Sequence, residues 1–438
     1  MFVISGLKRG DKMERTYYCI DMKTFFASVE CAERGLDPFE TSLVVADVTR
    51  GKNALCLAVT PKMKAQGVWN RCRLSDIPKT VKYEIAPPRM ALYIEYSADI
   101  YSVYLDYIDP QDIHVYSIDE AFIDATKYFK LYKKDKYEFA KLLMDEISRR
   151  CHIPSTVGIG TNLYLAKIAL DIVAKHAKDR IGYLDEELYK KLLWRHRPIT
   201  DFWMVAKGTA KRLEQYGIFD MHGITVMPEE LVYRLFGKDA ELLIDHAWGR
   251  ETCLISDIKD YKSKSRSVSF SQILPRDYTY GEARTVMQEM AMNGAAELMK
   301  RKEVTSRVAV YVGYTHDELP PAKGMKKLDV TTNLPSFLVA PVLKIYDAVV
   351  TPSVKVRKLA VSFDDVLDED CERYNFFVDQ NAIEKEKTLR QAVLQINQRF
   401  GRNAVLSGLN YTREGTQRER NEFIGGHRAG YDDAKRKS

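Results

Sequence analysis

Three carboxylates, Asp21, Asp119 and Glu120, lie within or at the end of segments that are rich in β-forming residues. Burying a charge in such a segment costs free energy unless the charge is paired or binds a metal ion. The local pattern leaves two interpretations open. Asp21 can cap a helix that begins at Phe25, with Asp119 and Glu120 in an exposed acidic turn. Alternatively, the acids can hold two Mg²⁺ ions about 4 Å apart, which activate a hydroxyl and stabilise leaving oxygens.

The elements that must position these acids alternate strands and helices over about the first 180 residues. TYYCI predicts a strand that ends on Asp21, and FFASVECAER predicts a helix that closes at Gly35. HVYSIDEAFIDAT has two β-rich arms around the acidic centre, and LYLAKIALDIVAKHAK predicts one further helix. This half of the chain is therefore predicted to be an α/β or α+β layer structure.

The remaining chain changes character twice. From about 185 to 250 the pattern predicts short helices broken by glycine. After the charged linker DIKDYKSKSRS, three strand-like segments and two helical ones predict a small α+β domain. From about 370 a polar tail contains one helix, LRQAVLQINQRF, before a Gly/Arg-rich end that is expected to be poorly ordered.

Composition narrows the function classes. The 438 residues include 67 Lys and Arg against 61 Asp and Glu, a net charge of +6. This excess excludes a polycation and an acidic disordered chain, but it permits a localised basic surface. The seven cysteines are scattered without CxxC spacing, which argues for a reducing compartment rather than disulfides or zinc. Because no apolar run approaches the length of a membrane span, a cytoplasmic location is expected.

Three blocks together resemble the Y-family, translesion DNA polymerases. They are DMKTFFASVE (21–30), YSIDEAFIDAT (116–126) and VGIGTNLYLAKIALDIVAK (157–175), and their order and spacing strengthen the match. The likeness is greatest to the UmuC-like branch, including the UvrX-type proteins of Gram-positive bacteria and their mobile elements. It implies an α+β multidomain right-hand polymerase. The implied domains are palm (13–41 and 78–180), fingers (42–77), thumb with a helix-hairpin-helix (181–252), linker (253–262), little finger (263–370) and tail (371–438).

The resemblance also implies the site and its chemistry. Asp21, Asp119, Glu120 and the backbone carbonyl of Met22 would bind two Mg²⁺ ions, and the enzyme would add a nucleotide from dNTP to a primer 3′ end in DNA damage tolerance. Asp124, in the same motif as Glu120, is expected to have a structural hydrogen-bonding role. Damage-inducible expression, as in the SOS response, is implied by the family alone.

Further residues match positions that contact the incoming nucleotide in the family. Phe26 matches the steric gate, whose bulk would clash with a ribose 2′-OH, while Phe25 beside it is either a substrate contact or a core residue. Lys64 and Lys175 match positions that contact the triphosphate, although an exposed lysine is ordinarily only a solvated side chain. Lys23 stands where the family often has a second acid, and a lysine cannot bind metal.

DNA contacts are expected in two places. The segment 199–225 resembles a helix-hairpin-helix, with Lys211 and Arg212 as phosphate contacts, but Met204 and Ala206 replace the usual glycines. Two simply packed helices are the alternative there. The small domain has a local excess of five positive charges between 321 and 360. Its candidate DNA contacts are Lys264, Arg266, Lys326, Lys327, Lys355 and Arg357.

An acidic stretch leads into Arg373-Tyr374-Asn375-Phe376-Phe377, which resembles a sliding-clamp-binding peptide with Arg373 in place of the usual glutamine. Tyr374, Phe376 and Phe377 would contact the clamp, and the alternative is a strand edge that packs on the little finger. A UmuD-like subunit and a recombinase filament are further candidate partners. There are two competing functions. The thumb-like hairpin, Phe26 and the basic small domain argue against a palm-type nucleotide cyclase, and the retention of Asp21, Asp119 and Glu120 argues against a non-catalytic DNA-binding accessory protein with a degenerate palm.

Overall fold

In the computed structural model, residues 15–263 and 265–430 are described, apart from the side chain of Asp317. They form two units. The first contains the described residues up to Tyr261 with 429–430, and the second contains 262–428. Both combine helices and sheets, which confirms the mixed α+β class.

The first unit contains eight strands in two sheets. The strands are β1 (Tyr17–Met22), β2 (Leu43–Ala46), β3 (Cys56–Val59), β4 (Glu84–Ala86), β5 (Ile113–Val115), β6 (Glu120–Asp124), β7 (Ser155–Gly160) and β8 (Ile181–Leu184). The larger sheet has the order β5-β6-β1-β7-β8, and the smaller has the order β3-β2-β4. In the larger sheet β1 is antiparallel to both β6 and β7.

Twelve helices surround these sheets among the described residues of the first unit. They are α1 (Phe25–Ala32), α2 (Pro61–Ala65), α3 (Met90–Leu105), α4 (Tyr128–Tyr132), α5 (Lys136–Cys151), α6 (Leu163–Ile168), α7 (Glu186–Leu193), α8 (Lys207–Glu214), α9 (Met221–Thr225), α10 (Glu229–Phe236), α11 (Asp239–Trp248) and α12 (Ile255–Asp260). The helical stretch from 186 to 248 matches the sequence pattern. Its core includes Tyr189, Phe202 and Leu213.

Glycines in β7 allow helix α6 to lie directly on the sheet. A Cβ atom at Gly158 would come within 2.1 Å of the carbonyl oxygen of Ala166, and one at Gly160 within 2.1 Å of the nitrogen of Ala166. Both distances are shorter than any real contact, so no larger residue fits at either position. This close approach brings Lys167, the next residue of α6, to the sheet.

The expected single helix from 163 to 178 is wrong. Helix α6 ends at Ile168, a π turn follows from Ala169 to Val173, and a 3₁₀ turn spans Ala174–His176. A π turn has one extra residue per hydrogen-bonded ring, so it changes the direction in which later side chains project. The turn packs against Gly182 of β8, where a Cβ atom would lie 2.6 Å from the carbonyl oxygen of Ala169. Such tertiary packing leaves no signal in the hydrophobic pattern.

The second unit is a sheet with helices on one face. Its elements are β9 (Val268–Tyr278), α13 (Tyr280–Lys300), β10 (Glu303–Tyr314), β11 (Ala322–Thr332), α14 (Pro335–Val349), β12 (Val356–Asp364), β13 (Leu367–Asp368), α15 (Gln380–Phe400), α16 (Gln417–Arg420), β14 (Phe423–Ile424) and β15 (His427–Arg428). The main strands have the order β11-β10-β12-β9. Strand β11 is absent from the sequence prediction, because it is an edge strand in which lysines replace the usual apolar alternation.

The expectation of a poorly ordered end is wrong for the residues up to 430. The tail packs on α13, where the carboxylate of Glu289 accepts hydrogen bonds from Asn410 Nδ2 at 2.7 Å and from the backbone N–H of Thr416 at 2.8 Å. Glu289 is only 1% exposed, so these bonds replace water at a buried charge. Residues 431–438 lie outside the described part of the chain.

All seven cysteines are free. Across residues 15–263 and 265–430, no helix has both the length and the apolar character needed to cross a membrane.

Candidate active site

The three predicted carboxylates meet at one end of the central strands of the larger sheet. Asp21 of β1 is directly opposite Glu120 of β6 in the antiparallel pairing. The backbone N–H of Met22 donates to the carbonyl of Asp119 at 2.9 Å, which ties the end of β1 to the turn before β6. The hydroxyl of Ser117 donates to Asp119 Oδ1 at 2.7 Å and orients that carboxylate.

Asp21 carries an electrostatic signature of this convergence. Burial, together with the negative charges of Asp119 and Glu120, raises its pKa from 3.8 to about 7, although Lys175 and Lys167 oppose the shift. Because the ionised form of Asp21 is unfavourable here, a cation that binds between the three acids would stabilise that ionised form. The donor set of carboxylate oxygens and a backbone carbonyl suits a hard divalent ion.

Glu120 already has a cationic partner within the protein. The ammonium of Lys167 lies 2.9 Å from Glu120 Oε1 and 2.9 Å from Asp171, and Cys19 Sγ donates to Glu120 Oε1 at 3.0 Å. Burial lowers the pKa of Lys167, but Cys19, Glu120 and Asp171 more than offset it, so the pKa is raised overall. In the described part of the chain, no three acidic, histidine or cysteine side chains are arranged to hold an ion as they stand. The carboxylate of Glu120 is thus engaged by Lys167 in this structure, and it would have to leave that ion pair to join a metal site with Asp21 and Asp119.

Three lysines, Lys23, Lys64 and Lys175, form a lysine cluster next to Asp21. Partial removal from water and the positive charges of Lys175 and Lys23 lower the pKa of Lys64. The pKa of Lys23 is lowered by burial and by the charge of Arg180. Lys175 is held by Asp171 at 2.7 Å. Lysines that repel one another in this way favour an anion between them. The sequence analysis identified Lys23 only as a residue that cannot bind metal, and it did not predict its place in this cluster.

Phe25 and Phe26 occupy different environments at the start of α1. Phe25 is buried, and Phe26 is only partly buried, with ring centroids 5.8 Å apart. One face of Phe26 stacks on Tyr93 of α3, with the centroids 4.6 Å apart and the planes 17° apart. Phe25 is thus a core residue, whereas Phe26 keeps an accessible surface. Asp124 accepts hydrogen bonds from the backbone N–H of Thr126 at 3.1 Å and from its hydroxyl, which fits a structural role.

The segment that resembles a helix-hairpin-helix has helices α8 and α9. Met204 is exposed and has a left-handed φ of 68°, a conformation that favours glycine. Lys211 is exposed on α8. Arg212 instead donates to the carbonyl of Leu235 at 3.0 Å and lies over the ring of Phe236. The exposed Lys211 is therefore available to contact a phosphate, while the guanidinium of Arg212 is engaged by Leu235 and Phe236 of the same chain.

The sheet of the second unit has an open face that combines small residues with cations. Strand pairing aligns Ala309 with Met325 and Ser362, and Tyr311 with Lys323 and Ala360. A shallow apolar depression of about 450 Å³ lies over this face. Lys323 and Lys358 lie 5.7 and 5.3 Å from the ring centroid of Tyr311. A floor of small side chains lets a flat or rod-like polyanion approach the cations closely.

The other predicted DNA contacts are distributed more widely. Lys327 lies opposite Arg307 on the open face, whereas Lys326 lies opposite the buried Val308 and so belongs to the other face. Lys355 is exposed. Arg357 lies 3.7 Å from Asp277, and Arg266 lies 3.2 Å from Glu303 and 2.8 Å from Asp368. Lys264 lies outside the described residues.

The aromatic peptide has one part that packs on the second unit and one part that is exposed. Arg373 pairs with Thr331 through two backbone hydrogen bonds of 2.8 and 2.9 Å, so it does extend a strand edge. The Tyr374 hydroxyl lies 2.8 Å from that of Thr332, and its ring packs on Phe337. Phe376 and Phe377 are fully exposed. Two adjacent exposed phenylalanines are an unusual apolar feature for a soluble surface.

Comparisons with known proteins identify the family to which the chain belongs. The impB/mucB/samB family model matches residues 20–171, and the C-terminal domain model of the same family matches 265–375. UvrX of Bacillus subtilis (strain 168) is 30% identical over 416 residues, which is 94% of this chain and 97% of UvrX. DNA polymerase IV 2 of the same organism is 28% identical over 418 residues, covering 94% of this chain and 99% of that protein.

Among solved structures, a Y-family DNA polymerase chimera superposes with a TM-score of 0.63 at 20% identity, covering 81% of this chain and 99% of the chimera. This likeness supports the fold. Together with the family matches and the full-length relatives, it leads to one conclusion: the chain belongs to the impB/mucB/samB family of Y-family, DNA-directed DNA polymerases.

Proposed function

We propose that this polymerase extends a primer from dNTP with two Mg²⁺ ions and works in the bypass of damaged template DNA. The observation that carries the proposal is the meeting of three carboxylates with a lysine cluster at one end of the central strands of the larger sheet. One group suits divalent cations and the other suits a triphosphate. Phosphoryl transfer requires positioning and charge neutralisation more than side-chain chemistry, so these two groups are sufficient.

Each part of the site has a role in this reaction. Asp21, Asp119, Glu120 and the carbonyl of Met22 would hold the metal ions, which when bound lower the pKa of the primer hydroxyl and neutralise the leaving pyrophosphate. The lysine cluster would hold the triphosphate through its positive charges. The partly exposed ring of Phe26 would discriminate against a ribose 2′-OH by a clash.

The open face of the second unit would bind the DNA duplex. Its cations, including Lys323, Lys327 and Lys358, suit phosphates, and its small floor residues offer no pattern of donors and acceptors that reads base edges. Binding without sequence preference is what a polymerase needs to work on any template, including one in which a base is damaged. Lys211 of α8 is a second expected phosphate contact.

The experiment that tests the proposal is primer extension on undamaged and lesion-bearing templates with Mg²⁺. We expect distributive synthesis on both by the wild-type chain and none by Asp119→Ala/Glu120→Ala. The matched control is Asp99→Ala, which removes an exposed carboxylate of α3 and should leave extension intact. Extension by the double variant at the wild-type rate would refute the assignment of the acids.

We also propose that the exposed pair Phe376 and Phe377 docks in an apolar pocket of a bacterial sliding clamp. A pull-down with purified clamp should recover the wild-type chain and lose Phe376→Ala/Phe377→Ala. Phe400→Ala is the control, because this side chain is exposed on α15 but lies outside the peptide. Equal recovery of the wild type and the double variant would refute the clamp proposal while leaving the polymerase assignment unaffected.

A further inference from the structure

The ring of Phe26 is backed by a buried polar network that the polymerase reaction itself does not require. Phe26 and Glu30 are one turn apart on α1 and so share a face of that helix. Tyr93 of α3 contacts both. Its ring stacks on Phe26 with centroids 4.6 Å apart, and its hydroxyl donates to Glu30 Oε1 at 2.8 Å.

Glu30 is the anchor of the network. Its side chain is 0% exposed. Arg89, immediately before α3, donates from Nε to Oε1 at 2.9 Å and from Nη2 to Oε2 at 2.8 Å, which is a bidentate pair. Arg34 also bonds to this carboxylate. Burial would raise the pKa of Glu30, but the bonds from Arg89, Arg34 and Tyr93 hold it below the ordinary value.

The position of Tyr93 is therefore set at both ends. Its ring is buried, and its hydroxyl is a donor to a charged acceptor away from water, where such bonds are stronger than in solvent. Rotating the Tyr93 ring out of the stack would break this bond and leave a buried carboxylate with one donor fewer. A ring supported in this way gives Phe26 a rigid surface on one face.

This rigidity matters because a steric gate discriminates only if the gate cannot move. A ribose 2′-OH that meets a yielding ring displaces it at little cost, whereas a ring pressed against a fixed neighbour turns the same contact into an energetic penalty. A deoxyribose makes no such contact, so its incorporation is insensitive to how firmly the ring is held.

We propose that Tyr93 and the Glu30–Arg89 ion pair are positioning residues that determine sugar specificity by fixing the ring of Phe26. The inference rests on the proposed gate role of Phe26. It adds that discrimination depends on a hydroxyl and a carboxylate that lie behind the gate and touch no substrate.

The test is steady-state incorporation of matched dNTP and rNTP by the full-length chain with Mg²⁺, with kcat and KM measured for each. Tyr93→Phe keeps the ring and removes only its bond to Glu30. We expect the ratio of dNTP to rNTP efficiency to fall roughly three- to tenfold, through a higher rNTP efficiency with an unchanged kcat for dNTP. Glu30→Gln, which keeps an acceptor but removes the ion pair, should lower the ratio in the same direction.

Tyr96→Phe is a matched control. Tyr96 lies on the same helix, and its hydroxyl donates to Glu33 Oε1 at 2.8 Å in an exposed setting. Its loss should leave the ratio unchanged. An unchanged ratio in Tyr93→Phe and Glu30→Gln, or an equal loss of dNTP and rNTP efficiency, would overturn the inference. Phe26→Ala tests the gate role separately from the positioning role of Tyr93 and Glu30, because a wild-type ratio in Phe26→Ala would refute the gate itself.

Discussion

Replacing Asp21 by asparagine should abolish synthesis and at the same time stabilise the metal-free protein. The pKa of Asp21 is raised from 3.8 to about 7 by burial and by the neighbouring Asp119 and Glu120. Three pKa units correspond to about 4 kcal/mol of unfavourable free energy for the ionised carboxylate. Asparagine has a similar shape and no charge, so at pH 8 the free energy of unfolding should rise by up to about 4 kcal/mol.

The gain should depend on pH with a definite sign. The folded-state pKa of Asp21 lies above its unfolded value, so the folded chain binds this proton more tightly and loses stability as the pH rises between about 4 and 7. Asparagine does not titrate. The advantage of Asp21→Asn over the wild type should therefore shrink to about 2 kcal/mol at pH 5.5.

The assay is urea unfolding of both proteins at pH 8 and pH 5.5 with a chelator present, repeated with Mg²⁺. Added Mg²⁺ should stabilise the wild type and not Asp21→Asn, because the metal binds only the folded wild-type site. Asp99→Asn, at an exposed position of α3, is the control and should behave as the wild type. A metal-free Asp21→Asn that is no more stable than the wild type at pH 8 would refute the claim that burial and the neighbouring acids make the ionised Asp21 carboxylate unfavourable.

Three further outcomes are expected. In steady-state kinetics, Lys64→Ala should raise KM for dNTP roughly tenfold, because the lysine cluster loses one charge. Lys62→Ala is the control and should leave KM unchanged, because the amine of Lys62 bonds to the carbonyl of Glu40 instead. Gly294→Ala should lower the stability of the second unit in thermal unfolding by about 1–3 kcal/mol, because its Cβ would lie 2.0 Å from the ring of Phe363, while Gly281→Ala on the same helix meets nothing within 4 Å and serves as control. Lys323→Ala should weaken duplex binding and reduce the slope of affinity against salt by about one unit, with Lys326→Ala, on the other face, changing both less.

The sequence identified the residues whose types are unusual for their surroundings. Asp21, Asp119 and Glu120 are acids in strand-forming segments, and the motif order was sufficient to bring them together. Lys167 and Cys19 were missed, because their contacts with Glu120 arise from the pairing of β1 with β6 and from the packing of α6 on glycines of β7. These are long-range events that no local pattern records.

The same distinction explains the fold. Regular helices and buried strands were readable from periodicity, since one face of each element must be apolar. Strand β11 and the π turn at 169–173 were not, because an edge strand rich in lysine and a helix distorted by a close neighbour both depart from the expected period. The charge excess between 321 and 360 predicted a DNA-facing domain, but only strand register separates Lys327 from Lys326.

The bonds from the tail to Glu289 extend the packed second unit beyond the residues that the family model matches. The family match in this unit ends at 375, yet Asn410 and Thr416 satisfy a carboxylate in the middle of α13, and a Cβ at Gly415 would lie 2.9 Å from the same carboxylate. A chain shortened to residue 375 would lose the hydrogen bonds from Asn410 and Thr416 to Glu289 and expose that carboxylate. These tail residues are thus part of the folded second unit, and removing the contacts of Asn410 or Thr416 would expose or orphan the buried Glu289 whether or not the tail touches DNA.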